Sequence, residues 1–488
     1  MPLLIERTLE VGQKLEGFEV KAITDLKQQH MVAYQLEHLK TGAKLLHLYS
    51  EDSENLFSIS FPTPPPNSTG VTHILEHSVL AGSEKYPVRE PFFEMLKMSP
   101  ATFINAMTGP DCTYYPVSSK VKQDLFNLAE VYFDAVFHPL LTKNTFKREG
   151  HHLAPSDPKN PTGELKFTGV VYNEMNGAFS DPEQRLDSIA NQNLFPDNIY
   201  GLESGGNPKN IPELTYEDFR DFHTNYYHPS NAYFVLYGNI STPEYLNFLS
   251  QKLEAFDRQE PNININPQSR WSEPKFKEDS YPISAADETT EKTYIMIKWL
   301  VGNSTDSEEW VALDILSRIL LGNEAAPLKK AIVESQMGQD ILRSGSDSVG
   351  KETTFHVGIQ GSEPERAEAF NQLVLNTLKT LAEEEIEPSI VEAAFQQAIY
   401  QHQEIAQMYP LRMLFRVMQT WIYSNEPLTL LYISDRLAEC KQRYIENPRY
   451  FNNLIREKLL NNPHRLTLVL KPDKEWQSNY DQIGRAHV

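Results

Sequence analysis

Two histidines and a glutamate in one short segment could carry out metal-assisted chemistry. His73, Glu76 and His77 lie at positions i, i+3 and i+4 inside the run 71–82. On a helix, residues three and four apart share one face. Two neutral imidazoles on that face can bind a divalent ion, and the carboxylate beside them can take a proton from a water molecule on the ion. The spacing therefore predicts a helix that carries a hydrolytic metal site.

A hydrolytic zinc site needs a third protein ligand and one open position. A cysteine zinc site is excluded, because the chain has two cysteines, Cys112 and Cys440, and they are far apart in the sequence. The third ligand is then a histidine or a carboxylate from elsewhere in the fold. Residue spacing leaves the choice open, although the apolar neighbours of Glu174 favour it as a buried carboxylate that needs a partner. The candidates by residue type are Glu149, His151, His152, Glu164, Glu174 and Glu183.

The composition of the 488 residues argues against two classes of partner. There are 45 Lys and Arg residues against 66 Asp and Glu residues, for a formal net charge of −21. This acidity disfavours nucleic acid and anionic membranes. No apolar run approaches the roughly 20 residues of a membrane span, and the amino-terminal residues lack the pattern of a signal or transit peptide. We expect no nucleic acid and no membrane partner, and a soluble protein for which the cytoplasm is favoured.

The segments around the motif predict a mainly antiparallel sheet packed with helices. Four short apolar runs between residues 18 and 61 alternate with turns, as antiparallel strands do. The proline-rich segment 63–67 ends the fourth strand just before the motif helix. Further on, a strand at 102–108 and its hairpin partner at 113–117 precede an amphipathic helix at 119–137. The motif helix thus follows a strand end, where a site can open.

The chain is predicted to contain two related domains. Polar residues with several prolines at 261–284 indicate a linker between a metal-binding domain at 1–260 and a second domain at 285–472. In the second domain, Asp314–Arg318 corresponds to His73–His77, keeps the central apolar pair and lacks the metal set. Residues 473–488 are predicted to begin a further linker. Their final part, 483–488, resembles a translated sequencing adapter, so we expect an artefactual end there.

Four motifs lie along the chain in the runs 73–83, 103–108, 169–175 and 200–208. In this order they resemble the presequence protease branch of the pitrilysin and insulinase superfamily, which carries the inverted zinc-binding pattern His-x-x-Glu-His. The resemblance covers nearly the whole chain, more weakly after residue 285. It implies an α+β fold of the mitochondrial-processing-peptidase type, with two related domains that each pack a mainly antiparallel sheet with helices.

The resemblance also implies roles for individual residues. Zn²⁺ would be held by His73, His77 and Glu174. Glu76 would activate the zinc-bound water as the general base and then pass the proton to the leaving amine. An extended peptide would dock by strand addition on an edge strand. The implied substrate-binding residues of that strand are Asn105, Ala106, Met107 and Thr108.

The implied function is that of a zinc metalloendopeptidase that degrades short unstructured peptides, such as cleaved targeting peptides. Relatives of this branch have four domains in two halves around a closed chamber, so this chain would be the amino-terminal half. Its partners would be unfolded peptides and the missing carboxyl-terminal half, which in relatives supplies an assisting arginine and tyrosine. Two alternatives stay open. The chain could be a complete two-domain peptidase that dimerises, or a non-catalytic peptide-binding or scaffold subunit.

Overall fold

The fold is given by a computed structural model that describes residues 9–261, 263–403 and 408–476. Helices and mainly antiparallel sheets alternate along the chain, which confirms the α+β class. Within these ranges, no helix is both long enough and apolar enough to cross a membrane. The adapter-like end predicted at 483–488 and most of the predicted linker at 473–488 lie outside the described residues.

The strands are numbered in chain order. They are β1 Lys14–Leu15, β2 Phe18–Leu26, β3 Met31–His38, β4 Lys44–Tyr49, β5 Asn55–Pro62, β6 Phe103–Ile104, β7 Met107–Thr108, β8 Cys112–Ser119, β9 His152–Pro155, β10 Leu165–Thr168, β11 Tyr233–Gly238, β12 Lys275–Pro282, β13 Thr293–Asn303, β14 Asp340–Ile341, β15 Gly345–Val349, β16 Glu352–Ser362 and β17 Arg465–Asp473.

The α-helices follow the same convention. They are α1 Val71–Val79, α2 Pro91–Met98, α3 Lys122–Phe137, α4 Lys143–Glu149, α5 Val170–Ser180, α6 Pro182–Leu194, α7 Tyr216–Tyr226, α8 Thr242–Leu253, α9 Ser307–Leu321, α10 Pro327–Ser335, α11 Ala367–Glu383, α12 Pro388–Gln403, α13 Tyr409–Trp421, α14 Ile433–Glu446 and α15 Tyr450–Ile455.

Two compact units divide the chain. The first takes in the described parts of 1–176, 203–265 and 407–416, and the second takes in the rest. Residues 177–202, with helix α6, therefore pack within the second unit rather than with the preceding residues. The predicted domain limits at 260 and 285 stay a prediction.

The sheet of the first unit runs in the order β1-β2-β3-β4-β11-β5-β8-β6, and β7 also pairs with β8. All neighbours are antiparallel except β4 and β11, which are parallel. Strand β5 is buried along its whole length, because it lies inside the sheet and helix α3 packs on it. Because β5 is buried in this way, it fixes the start of the segment that leads into α1.

The sheet of the second unit runs in the order β12-β17-β13-β16-β14, and β15 also pairs with β16. Its one parallel pair is β12 and β17. The core of this unit lies between the sheet and helices α9, α11, α12 and α14 and includes the fully buried side chains of Trp299 and Phe355. Residues 275–282 of the predicted linker form β12, so that part of the segment is an edge strand of this sheet.

The two sheets share one pattern of order and direction. In the first, β11 lies parallel to β4 and antiparallel to β5, and β5 pairs with β8. In the second, β17 lies parallel to β12 and antiparallel to β13, and β13 pairs with β16. Each central strand, β5 or β13, is the one that precedes the motif helix α1 or its counterpart α9. This shared order supports the prediction that the two domains are related.

Candidate active site

Helix α1 begins at a close crossing of two backbone segments. Gly70 precedes the helix with φ of 71°, and a Cβ there would lie 2.8 Å from the Cα of Gly206. The Thr72 hydroxyl donates a hydrogen bond of 2.6 Å to the Ser204 carbonyl oxygen. A side chain at residue 70 would be strained by both the backbone angle and the contact. The loop around Ser204–Gly206 thus fixes where α1 starts.

One face of α1 is buried in the core, and this fixes the direction of the motif residues on the other face. Ile74 and Leu75 are fully buried, as expected for a helix that packs against α4, α7 and β7. His73 and His77 are half-buried on another face, and Glu76 lies beside them with 8% of its surface exposed. The predicted shared face is therefore present.

Both imidazoles face the same carboxylate oxygen on helix α5. The Nε2 atoms of His73 and His77 lie 3.8 and 3.7 Å from Oε2 of Glu174. One donor atom from each of the three residues lies within 4.8 Å of the others. Three ligands around a tetrahedral zinc ion at about 2.1 Å would stand about 3.4 Å apart. The three donors are thus spaced closely enough to hold one metal ion.

The other nitrogen of each imidazole faces an acceptor on the far side of the ring. Nδ1 of His73 lies 3.0 Å from the carbonyl oxygen of Gly205, and Nδ1 of His77 lies 3.6 Å from Oε2 of Glu149. Acceptors at Nδ1 favour the tautomer that carries its proton there and leaves the Nε2 lone pair free. The ring chemistry therefore fits a metal bound through Nε2.

The exposure of Glu174 differs from the expectation of a buried carboxylate. Its side chain is 54% exposed, whereas Val171 and Met175 on the same helix are buried. The expectation was wrong because a helix places adjacent residues about 100° apart, so apolar neighbours in sequence do not bury the residue between them. Glu174 lies on the open side of α5 and reaches the imidazoles from there.

The other third-ligand candidates do not join the group of donors formed by His73, His77 and Glu174. Nε2 of His151 faces the Leu214 carbonyl oxygen at 3.0 Å, and Nδ1 of His152 faces the Lys147 carbonyl oxygen at 2.7 Å. Glu149 contacts His77 on the side of the ring opposite to Glu174. Within the described residues, the group of histidine and carboxylate side chains that could hold a metal ion contains none of these residues, nor Glu164 or Glu183.

Glu76 is held by the strand at the sheet edge. The Thr108 hydroxyl donates a hydrogen bond of 2.5 Å to Oε2 of Glu76. Burial raises the pKa of the Glu76 carboxyl above its ordinary value, and the nearby His73 and the Thr108 hydrogen bond offset only part of this rise. A carboxylate with a raised pKa is a stronger base, which suits a group that must accept a proton.

Ionic contacts shift the pKa of His77 and the pKa of Glu149, which lies behind it. Burial alone would lower the pKa of His77, but the interaction with Glu149 and the other carboxylates raises it on balance. Burial would raise the pKa of Glu149, but His77 and Arg148 lower it on balance. The contacts of its two oxygens with Arg148 and His77 therefore favour the charged form of the Glu149 carboxyl.

The predicted docking segment lies at the edge of the first sheet. Strands β6 and β7 both pair with β8, and the two residues between them, Asn105 and Ala106, interrupt the ladder. The Asn105 carbonyl oxygen accepts a hydrogen bond of 3.1 Å from Tyr132, and its own side-chain oxygen accepts one of 2.9 Å from the Ala106 amide. Asn105 is exposed, Ala106 is buried, and Met107 and Thr108 are intermediate. The segment thus offers an irregular edge beside Glu76.

Several residues around the site were not assigned a role from the sequence. They are Gly205, Tyr132 and, as a contact of a ligand rather than a ligand, Glu149. The motif 200–208 marked the region of Gly205 through its glycines, but neither residue type nor spacing indicated which histidine it would approach. These partners come from segments far apart in sequence, and only the fold brings them to the site.

Two family models match the chain. The model described as insulinase, peptidase family M16, matches residues 63–155, which include α1. The model described as the peptidase M16 inactive domain matches residues 213–398, which include most of the second sheet.

Curated relatives match nearly all of the chain. It is 37% identical over 475 residues to a mitochondrial presequence protease of Xenopus laevis, covering 97% of this chain and 46% of that protein. It is 40% identical over 465 residues to Protein HypA of Clostridium perfringens, covering 94% of this chain and 47% of that protein. The chain therefore spans about half the length of the curated relatives it matches.

Solved structures share the fold. A protease from Helicobacter pylori superposes with a TM-score of 0.69 at 17% identity and covers 90% of this chain and 99% of that one. Pitrilysin superposes with a TM-score of 0.60 at 17% identity and covers 94% of this chain and 47% of that one. These likenesses confirm the predicted architecture.

Proposed function

Because the chain belongs to the insulinase family of peptidases, peptidase family M16, we propose that it takes part in zinc-dependent cleavage of peptide bonds. The observation that carries the proposal is the convergence of the Nε2 atoms of His73 and His77 on one oxygen of Glu174. Glu76 lies on the same face of α1 as the two histidines. The donor set of two imidazoles and one carboxylate is typical of hydrolytic zinc sites.

The residues of this chain would share the chemistry between them. Zinc, when bound, supplies a Lewis acid that polarises a carbonyl and makes a bound water more acidic. Oε2 of Glu76 is occupied by the Thr108 hydroxyl, so Oε1 remains to accept a proton from the attacking water. Glu76 then donates this proton to the leaving amine of the cleaved peptide.

The sheet edge supports the proposal that substrates bind as extended strands. The segment Asn105–Thr108 ends at Thr108, which donates a hydrogen bond to Glu76, and β6 is the last strand of its sheet among the described residues. An edge strand offers backbone donors and acceptors to a peptide that adds to the sheet. A peptide without a fold of its own has its backbone groups free to align in this way, so we propose short unstructured peptides as substrates.

The relatives guide the choice of peptide and of partner. Proteins named presequence protease suggest cleaved targeting peptides as substrates. Such peptides are typically basic, and the net charge of −21 would attract them. Because the chain spans about half the length of these relatives, we propose that full activity needs a second pair of related domains.

Zinc content and peptide cleavage, measured on the same preparation, test the proposed function. We expect about one zinc per chain, cleavage of an internally quenched unstructured peptide, and loss of cleavage with a chelator. Glu76→Gln should keep the zinc and lose the cleavage, since the amide cannot accept the proton. Glu260→Gln, at an exposed position far along the chain, is the matched control and should behave as the wild type. A wild-type protein that takes up no zinc would overturn the proposal, as would full activity of Glu76→Gln.

A further inference from the structure

His77 has a charged carboxylate behind it, whereas His73 has a neutral carbonyl group. Oε2 of Glu149 lies 3.6 Å from Nδ1 of His77, and the Gly205 carbonyl oxygen lies 3.0 Å from Nδ1 of His73. The two nitrogens of an imidazole point in different directions, so the contact of Glu149 with Nδ1 leaves Nε2 directed at Glu174. Glu149 and Glu174 therefore act on opposite sides of one ring.

The position of Glu149 is fixed by its own surroundings. It is the last residue of helix α4, and its side chain is only 10% exposed. The Arg148 side chain donates a hydrogen bond of 2.6 Å from Nε to Oε1. One carboxylate oxygen is thus held by Arg148, which leaves Oε2 for His77. A carboxylate buried to this degree is costly unless both oxygens have partners.

Two glycines bring the Glu149 and Glu174 segments close together. A Cβ at Gly169, just before α5, would lie 2.0 Å from the Gly150 carbonyl oxygen. A Cβ at Gly150, just after α4, would lie 2.8 Å from the Phe146 carbonyl oxygen and 3.3 Å from the Ile74 side chain. The end of α4 therefore approaches both α1 and the start of α5 as closely as bare backbone allows. This crossing sets a carboxylate on each side of His77.

We propose that Glu149 is a positioning residue for the metal ligand His77. It holds the ring proton at Nδ1 and orients Nε2 toward Glu174, and its charge makes the imidazole a stronger ligand. Partners of this kind, behind a metal-binding histidine, typically contribute about 10- to 100-fold to metal affinity. The proposal rests on the proposed zinc site, but it concerns a residue that does not touch the metal.

The test compares zinc affinity in full-length variants by competition with a chromophoric chelator. Glu149→Gln keeps the shape and removes the charge, and we expect it to weaken zinc binding about 10-fold or more. Glu164→Gln removes an equal charge from an exposed position and should leave the affinity unchanged. Thermal unfolding of the metal-free proteins shows whether Glu149→Gln also perturbs the fold. If Glu149 had only a structural role, Glu149→Gln would lower the unfolding midpoint, and the folded variant would bind zinc as tightly as the wild type.

A spectroscopic measurement covers the case in which Glu149→Gln folds poorly. Glu149→Asp keeps the charge but withdraws it by one methylene, and the visible absorption of its cobalt-substituted form reports directly on the ligands. We expect a shifted cobalt spectrum and an intermediate zinc affinity. Wild-type affinity in a folded Glu149→Gln variant, or a wild-type cobalt spectrum in Glu149→Asp, would overturn the role of Glu149. If the wild type itself binds no zinc, the proposed function fails instead.

Discussion

The hydroxyl of Thr108 donates a 2.5 Å hydrogen bond to Oε2 of Glu76 and so joins the edge of the sheet to the motif helix. Thr108 belongs to β7, which pairs with β8, while Glu76 belongs to α1. The segment proposed to bind the peptide is thus also the segment that orients the proposed base. A peptide docked on this edge would lie against the residue that fixes the direction of the carboxylate.

Thr108→Val should slow catalysis about 10-fold, with little change in KM. Valine keeps the shape of threonine but removes the hydroxyl, and a hydrogen bond to a charged group is worth about 1.5–3 kcal/mol. Backbone pairing of the substrate would be unaffected, so the loss should appear in kcat. Thr108→Ser retains the hydroxyl and should stay near wild type. Steady-state kinetics on a quenched peptide measures both variants, and equal kcat values for them would contradict a role for the hydroxyl.

Glu174→Gln should weaken zinc binding by at least the roughly 10- to 100-fold that groups behind a ligand contribute. The amide oxygen is neutral and a poorer ligand than the carboxylate on which both Nε2 atoms converge. Glu183→Gln, on the exposed start of α6, is the control. Chelator competition measures each affinity. Wild-type zinc binding by Glu174→Gln would show that the third ligand is another residue.

Gly169→Ala should destabilise the first unit by more than about 2 kcal/mol and weaken metal binding with it. The added Cβ would lie 2.0 Å from the Gly150 carbonyl oxygen, so the crossing that positions Glu149 and Glu174 must open. Gly177→Ala, within α5, is the matched control, because a Cβ there meets nothing within 4 Å. Alanine is a better helix former than glycine, so the control should gain up to about 1 kcal/mol. Thermal unfolding with and without zinc measures both variants. Similar midpoints for Gly169→Ala and Gly177→Ala would contradict the tight crossing.

The buried His47 should make the first unit sensitive to acid. Burial lowers its pKa to about 3, and its Nδ1 lies 2.8 Å from the Thr242 hydroxyl. The unfolded chain has the ordinary value near 6.5, so it binds more protons than the folded chain as the pH falls from about 6.5 toward 3. The stability that the neutral His47 contributes is fully present above about pH 6.5. It declines below that pH, by at most about 1.4 kcal/mol for each pH unit.

The His47→Gln variant tests this linkage. Glutamine does not titrate, so the variant should be less stable than wild type at pH 7 because packing is lost, and the difference should shrink at pH 5. His30→Asn, at an exposed position, should leave the pH dependence unchanged. Thermal midpoints at the two pH values give the comparison. A difference between wild type and His47→Gln that does not change with pH would argue against a buried neutral imidazole.

The elements near the motif could be predicted because their signals are local. The alternation of apolar residues in β2–β5, the prolines at 64–66 and the helical spacing in α3 depend on neighbours in sequence, and the structure shows strands and helices there. The sequence predicts a linker where β12 lies, because this segment is polar and forms an edge strand with much of its surface exposed. A pattern based on burial cannot identify a strand that is little buried.

The sequence by itself determined the chemistry that is available: two imidazoles and a carboxylate on one helical face, no cysteine site, and an acidic chain. Through resemblance it also indicated Glu174 among six candidates. Only the tertiary structure decided which side of His77 each carboxylate occupies, that Glu174 is exposed while Glu149 is buried, and that Thr108 holds Glu76. The reason is physical. Residue type and helical spacing are local properties, whereas the direction from which a partner reaches a ring depends on segments that meet only after the chain has folded.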